Sequence, residues 1–305
     1  MHHHAWFPPM ITVRLRPALM FGAFVLSVFT GQSHAAEDTG GSPDVARDPT
    51  PAASVATAPA PGTDDWEFVA IPYVWGISID GNATVEGVKA SIDASFGDIF
   101  EKLNIAAMGQ FEVRKGRFGA FINPLYASLG SKNSKGPISV ESTGKLFGMD
   151  FGVYYRVGEW QLGDPASDAP PKVAVEPYIG GRLWSVEGKL KFKRLSNISE
   201  SETWVDPIIG VRTLWDITSN WNLVVQGDVG GFGVASDLTW QALGLAGYRF
   251  GLFSEDDANV LLGYRALYDD YSTGSFRGKL TGKKRDKFAL DATLHGPVIG
   301  LAVKF

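Results

Sequence analysis

The chain contains no cysteine. That excludes a disulfide framework, a thiolate metal site, a cysteine nucleophile and a lipidated N-terminal cysteine. It also suits passage through an oxidising compartment without pairing hazards. Histidine is almost missing too: His2, His3, His4 and His34 stand near the N-terminus, which leaves His295 alone further on. Paired-histidine metal spacing, EF-hand carboxylate patterns and glycine-rich phosphate loops do not occur, so no metal and no cofactor is expected. Nor is there a basic excess. Lys+Arg 28 against Asp+Glu 33 gives a net charge of −5 and a pI of about 5.6, which removes compositional support for nucleic-acid binding. No apolar run reaches the roughly 20 residues that a membrane-spanning helix needs. The run at residues 18–30 follows Arg14 and Arg16 and precedes Ser33-His34-Ala35, with small residues at the −3 and −1 places. This is the pattern of a secretory signal peptide over residues 1–35.

What the chain does have is glycine (36), aromatics (nine Trp, nine Tyr, 19 Phe) and long stretches of period-two alternation. Residues 36–64 are Pro/Ala-rich and lack large apolar side chains, so they cannot bury enough surface to offset ordering entropy. They form an expected disordered linker. From residue 65 onward the pattern predicts strand after strand. In the last stretch Ile299, Leu301, Val303 and Phe305 alternate with Val298, Gly300, Ala302 and Lys304, giving one large apolar face and one small or polar face. Similar runs end the count at ten, each close to the 9–11 residues of a tilted strand crossing hydrocarbon. The expected fold is therefore all-β: a closed antiparallel transmembrane β-barrel over residues 65–305, with about ten strands and eight or twelve as alternatives. Ile71, Tyr73, Phe151, Val153, Ile209, Val211, Leu301 and Val303 are expected to face outward. Residues 81–104 are expected to form a hairpin and a short amphipathic helix capped by Asp98, with Ile99, Phe100 and Leu103 after it, as an excursion toward the outer mouth; with both arms of the hairpin in the wall the count would be twelve. Pro72, Pro124, Pro177, Pro207 and Pro297 fall inside strands, where proline removes a ladder hydrogen bond, so bulges or rim positions are expected there.

Three consecutive strands carry an acid and an arginine six residues apart: Asp150 and Arg156, Glu176 and Arg182, Asp206 and Arg212. Six is even, so both members share a face, and that face lies opposite the apolar one. The strands alternate in direction, so two lumenal belts follow. In one, Asp150 and Asp206 flank Arg182; in the other, Arg156 and Arg212 flank Glu176. Glu112, Arg114, Asp228, Arg249, Arg265 and Asp269 are further lumen candidates. Such pairs either satisfy buried charges or form a constriction that selects solutes.

The segments Pro72-Tyr-Val-Trp75, Ser95-Phe-Gly-Asp-Ile-Phe100, Trp204-Val-Asp-Pro-Ile-Ile-Gly-Val-Arg212, Asp228-Val-Gly-Gly-Phe-Gly233 and Gly263-Tyr-Arg265, with the terminal Phe305, resemble a family of bacterial outer-membrane β-barrel proteins of mostly undefined role. The resemblance implies location in the bacterial cell outer membrane, with Phe305 as the assembly signal read by the barrel-assembly machinery. It carries over no catalytic residues. A small porin-like channel with a charged, paired lumen passing small solutes is the first functional expectation, and a structural or adhesive surface scaffold is the alternative. Lysines and arginines clustered near residues 189–194 and 277–287 suit outer-membrane lipid and lipopolysaccharide phosphates as partners. A lipid A-modifying enzyme ranks last, because His295 has no serine-containing motif beside it; no enzymatic activity is expected.

Overall fold

The computed structural model describes residues 65–85, 88–135, 138–162, 170–192, 198–252, 257–277 and 284–305. The signal peptide and linker expected over residues 1–35 and 36–64 lie outside these. Within them run β1 (Trp66–Trp75), β2 (Ser78–Val85), β3 (Val88–Ala94), helix α1 (Phe96–Glu101), β4 (Leu103–Lys115), β5 (Phe118–Lys135), β6 (Ile138–Tyr155), β7 (Gly158–Gln161), β8 (Lys172–Phe192), β9 (Ile198–Asp216), β10 (Trp221–Gly231), β11 (Ser236–Phe250), β12 (Ala258–Arg277) and β13 (Lys284–Lys304). Ten of the strands close into one antiparallel ring in the order β1–β4–β5–β6–β8–β9–β10–β11–β12–β13, with β13 pairing back to β1.

The alternation in sequence explains the two faces. Val153, Ile179, Ile209 and Ile299 stand exposed on the outside, while their neighbours Tyr154, Tyr178, Ile208 and Val298 are buried inside. An apolar outer surface over a charged interior inverts the pattern of a soluble protein and is the architecture of an outer-membrane barrel. Trp66, Phe68, Phe118, Trp221 and Phe305 are exposed near the end where the two termini meet. They fit the aromatic girdle of the periplasmic boundary. β8, β12 and β13 have 21, 20 and 21 residues. At about 3.3 Å per residue and a tilt near 40° such strands rise roughly 50 Å, about twice the apolar band, so their far halves stand clear of the membrane.

The hairpin of β2 and β3 does not add to the wall count. β2 pairs with β13 in the same register as β1, Trp75 lying opposite Val298 and Ser78 opposite His295. β1 and β2 are thus one strand interrupted at Gly76 and Ile77. β3 and β4 both flank this strand on its other side, and α1 is inserted between them. The helix therefore sits within the wall and not over the mouth. Ile99, like Ile79 and Leu290, packs against the buried cluster of Ala83, Ile92 and Ala94, while Phe96 and Phe100 stay exposed. Ser95 caps the helix: its hydroxyl accepts from the Asp98 backbone N–H at 3.3 Å, and the Asp98 carboxylate accepts from the Ser95 N–H at 3.1 Å. Loss of such a cap costs about 1 kcal/mol. Ser95→Ala is expected to speed hydrogen exchange at the Ile99 and Lys102 amides by about fivefold and to leave barrel melting unchanged.

Two other expectations need correction. Ile71 and Tyr73 face the lumen, not the lipid, whereas Pro72 and Val74 face outward. Glu67 shares the parity of Ile71, and both sides of β1 are apolar, so alternation alone does not orient this strand. The prolines cause no bulge either. Pro124 lies opposite Met149, Pro177 opposite Val211, Pro207 opposite Gly181 and Pro297 opposite Tyr264 in unbroken register. Each alternates with buried neighbours, so its ring sits on the outer face and costs the ladder one N–H.

Candidate functional site

The lumen holds all six belt residues, and the ladder explains their meeting. Asp150 lies opposite Arg182, Arg182 opposite Asp206, and Glu176 opposite Arg212. In the lower belt Glu176, fully buried, takes Arg156 on one side (Nε to Oε1, 2.8 Å) and Arg212 on the other (Nε to Oε2, 2.8 Å). The upper belt is built differently. Arg182 donates to Asp150 at 2.8 Å, then reaches past β9 to Asp228 on β10 at 2.9 Å and to the Thr239 hydroxyl at 3.0 Å. Asp206 does not take up Arg182. Its carboxylate accepts from the Ser236 N–H at 2.7 Å and the Ser236 hydroxyl at 2.6 Å. The long planar fork of arginine reaches beyond the adjacent strand, so ladder position alone does not select its partner.

Two arginines cross the ring. Arg265 on β12 donates to Asp150 on β6 at 2.9 Å, to Gln241 at 2.6 Å, and lies over the Trp75 ring at 4.6 Å. Arg212 on β9 reaches Glu112 on β4, its Nη2 donating to Oε2 at 3.0 Å, and covers the Tyr154 ring at 4.8 Å. Tyr178 donates to Asp228 at 2.8 Å, crossing β9 over Gly210, where any Cβ would meet the ring at 2.4 Å. Asp150, Arg182, Asp228, Gln241 and Arg265 are buried and mutually bonded. They form a polar layer across the barrel in which each charge has a partner, as a dry interior requires. Of the other lumen candidates, Asp269 is buried behind Ser236 at 2.9 Å, Arg114 pairs with Glu67, and Arg249 pairs with Asp216.

On the outer side of this layer the lumen is filled by apolar side chains. Trp184, Trp204, Tyr271, Phe288, Leu267 and Leu294 belong to one buried cluster, with Trp204 stacked on Tyr271 at 4.1 Å. On the periplasmic side lies a cavity of about 230 Å³. Arg114, Arg156, Arg212, Glu67 and Glu112 line one side of it, and Leu214, Val224, Leu243, Leu245, Leu261 and Val298 line the other. From the periplasmic end outward, the interior is a cup, a charged layer and an apolar plug.

Sequence reasoning missed Tyr73, Tyr154, Tyr178 and Gln241. Parity was the available signal, since Tyr154 shares a face with Asp150, and Tyr178 with Glu176 and Arg182. It also missed a polar line on the outer wall. His295 lies between Asp80 (Nε2 to Oδ2, 2.6 Å) and Tyr264 (Nδ1 to the hydroxyl, 2.6 Å), tying β2 to β12 and β13 where the outward apolar band gives way to polar residues. Among the basic residues expected to meet lipopolysaccharide, Lys193, Arg194, Lys279 and Lys283 lie outside the described residues.

No family model matches the chain, and no curated protein matches it. Among solved structures it is similar to the attachment invasion locus protein Ail of Yersinia pestis, solved with the heparin analogue sucrose octasulfate, at 10% identity over 79% of this chain and 98% of that one, with a TM-score of 0.32. It is similar to the outer membrane protease OmpT of Escherichia coli at 10% identity over 80% and 98%, with a TM-score of 0.42. A FadL homologue of Pseudomonas aeruginosa shares 12% identity over 79% and 90%, with a TM-score of 0.25.

Proposed function

We propose that the protein is an outer-membrane scaffold whose lumen is closed to through-passage, carrying raised strands on the cell surface. The observation that supports this reading is the layer of Arg182, Asp150, Asp228 and Arg265, bonded across the ring and roofed by the Trp184 and Trp204 cluster. A porin-like channel would need both to move aside, breaking several buried charge pairs together. The lower-energy assignment of those charges is structural: they satisfy one another. Lipopolysaccharide around the wall and the barrel-assembly machinery at the terminal Phe305 are the partners this reading implies.

Planar-bilayer recording of the refolded barrel tests it. The expected result is silence at voltages that leave the bilayer intact. Regular single-channel steps would overturn the closed-scaffold reading and favour a channel. In that case Arg265→Ala would alter the step size.

A further inference from the structure

The lining of the periplasmic cup does not fit a purely structural lumen. Transmembrane barrels face water with polar side chains on the inside. Here Leu214, Val224, Leu243, Leu245, Leu261 and Val298, on five neighbouring strands, turn apolar groups into a cavity that opens toward the periplasm. Leu214, Val224 and Leu243 are half-buried there, in front of the buried Leu245, Leu261 and Val298, and apolar surface left beside water is unfavourable unless something covers it. The opposite side has the contrary character. Arg114, Arg156 and Arg212 line it with two carboxylates, Glu67 and Glu112, and a fourth arginine, Arg265, enters the cavity from β12. Of the remaining counter-charges, Glu176 and Asp150 are buried behind the arginines, and Glu159 reaches Arg156 at 3.6 Å from outside the cavity lining. Arg114 and Arg156 keep about a fifth of their side chains accessible. One side of the cup thus suits a hydrocarbon and the other an anion, within the span of one small molecule.

We propose that this cup binds a single-chain amphiphile with an anionic head group, taken up from the periplasmic side. Its chain lies along the leucine and valine side, and its head meets Arg114 and Arg156. The charged layer forms the floor, so the site is a blind pocket and binding needs no passage through the barrel. Carboxylate, phosphate and sulfate heads share the required chemistry.

The test uses the full mature chain refolded into phosphatidylcholine nanodiscs and an eleven-carbon fatty acid carrying a terminal dansyl group. Saturable fluorescence enhancement is expected, displaced by unlabelled dodecanoate and by dodecyl phosphate, whose relative potencies separate the two head-group sources. Ala302→Phe and Val224→Phe each fill the cup and are expected to weaken binding at least tenfold. Heat-modifiable gel mobility identifies the folded variants. Arg156→Gln should weaken the acid about tenfold and leave dodecanol, as competitor, unchanged. A signal that rises without saturation, or one that persists in either folded filling variant, overturns the site. Equal competition by dodecanol and dodecanoate in the unmutated protein overturns the anionic head. Conductance silence or activity leaves these readouts unaffected, so this inference and the closed-scaffold reading fail separately.

Discussion

Arg182→Met will lower the thermal midpoint of the barrel by on the order of 10 °C, because about 3–5 kcal/mol is lost when one partner of a buried charge network is removed. Arg182 is fully buried and bridges Asp150, Asp228 and Thr239. Methionine fills much of the same volume, so the loss is mainly electrostatic. Asp228 would keep Tyr178 and Gln241 as donors, and Asp150 would keep Arg265, which sets the loss below that of abandoning two bare carboxylates. Adding Asp228→Asn should recover at least about 1 kcal/mol, since it removes a charge that has lost its counter-ion. The midpoint is read from heat-modifiable gel mobility. An Arg182→Met protein that melts with the unmutated one, or a double variant with no coupling, would remove the charged layer as a source of stability.

Gly210→Ala is the second large effect, and it arises from one methyl group. A Cβ at this position would stand 2.4 Å from the Tyr178 ring and 2.5 Å from the Gly227 carbonyl oxygen. The backbone oxygen cannot move far, so the ring must, and it takes the Tyr178–Asp228 hydrogen bond with it. Overpacking costs about 1–3 kcal/mol, and a hydrogen bond to a charged group is worth about 1.5–3 kcal/mol. Together these predict a loss of roughly 3–5 kcal/mol. Gly244→Ala is the control: nothing lies within 4 Å of its Cβ, so it should melt within about 0.5 kcal/mol of the unmutated protein. Combining Tyr178→Ala with Gly210→Ala should be less damaging than the sum of the two changes, because the ring that clashes is gone.

The ten wall strands were legible because alternation is strong wherever one face meets lipid and the other meets charge. β6, β8 and β9 show this plainly: Asp150, Glu176 and Asp206 mark the inner parity, and Val153, Ile179 and Ile209 the outer. β1 was misoriented because its inner residues Val69, Ile71 and Tyr73, which line the cup, are themselves apolar or aromatic. A strand that is apolar on both faces has no parity to read. The helix was visible in Asp98, Ile99, Phe100 and Leu103, although its cap is Ser95 and not Asp98, and its place in the wall depends on β2 continuing β1, which only the register reveals. The contacts Arg212–Glu112 and Arg265–Asp150 were not legible at all. They join strands on opposite sides of the ring, and such pairs depend on barrel diameter and stagger, which the spacing along one strand does not encode.

The last strand, β13, pairs with β12 along one edge and with both β1 and β2 along the other. The final residue completes the seam: the Phe305 N–H donates to the Phe68 carbonyl at 2.9 Å, and the Phe68 N–H donates back at 3.4 Å. The other wall pairings join strands that follow one another along the chain or are parted only by the β2–β3–α1 excursion or by β7, but this one joins the two ends of the folded chain. Bringing those ends together has an entropic cost of roughly 5 kcal/mol, growing only with the logarithm of loop length. It falls on a single event late in folding, which makes closure the slow, high-contact-order step. Before that event the chain is an open sheet with two unpaired edges, the form most prone to pairing with other molecules. A chain cut within β13 would therefore accumulate as an aggregating sheet and not as a smaller barrel.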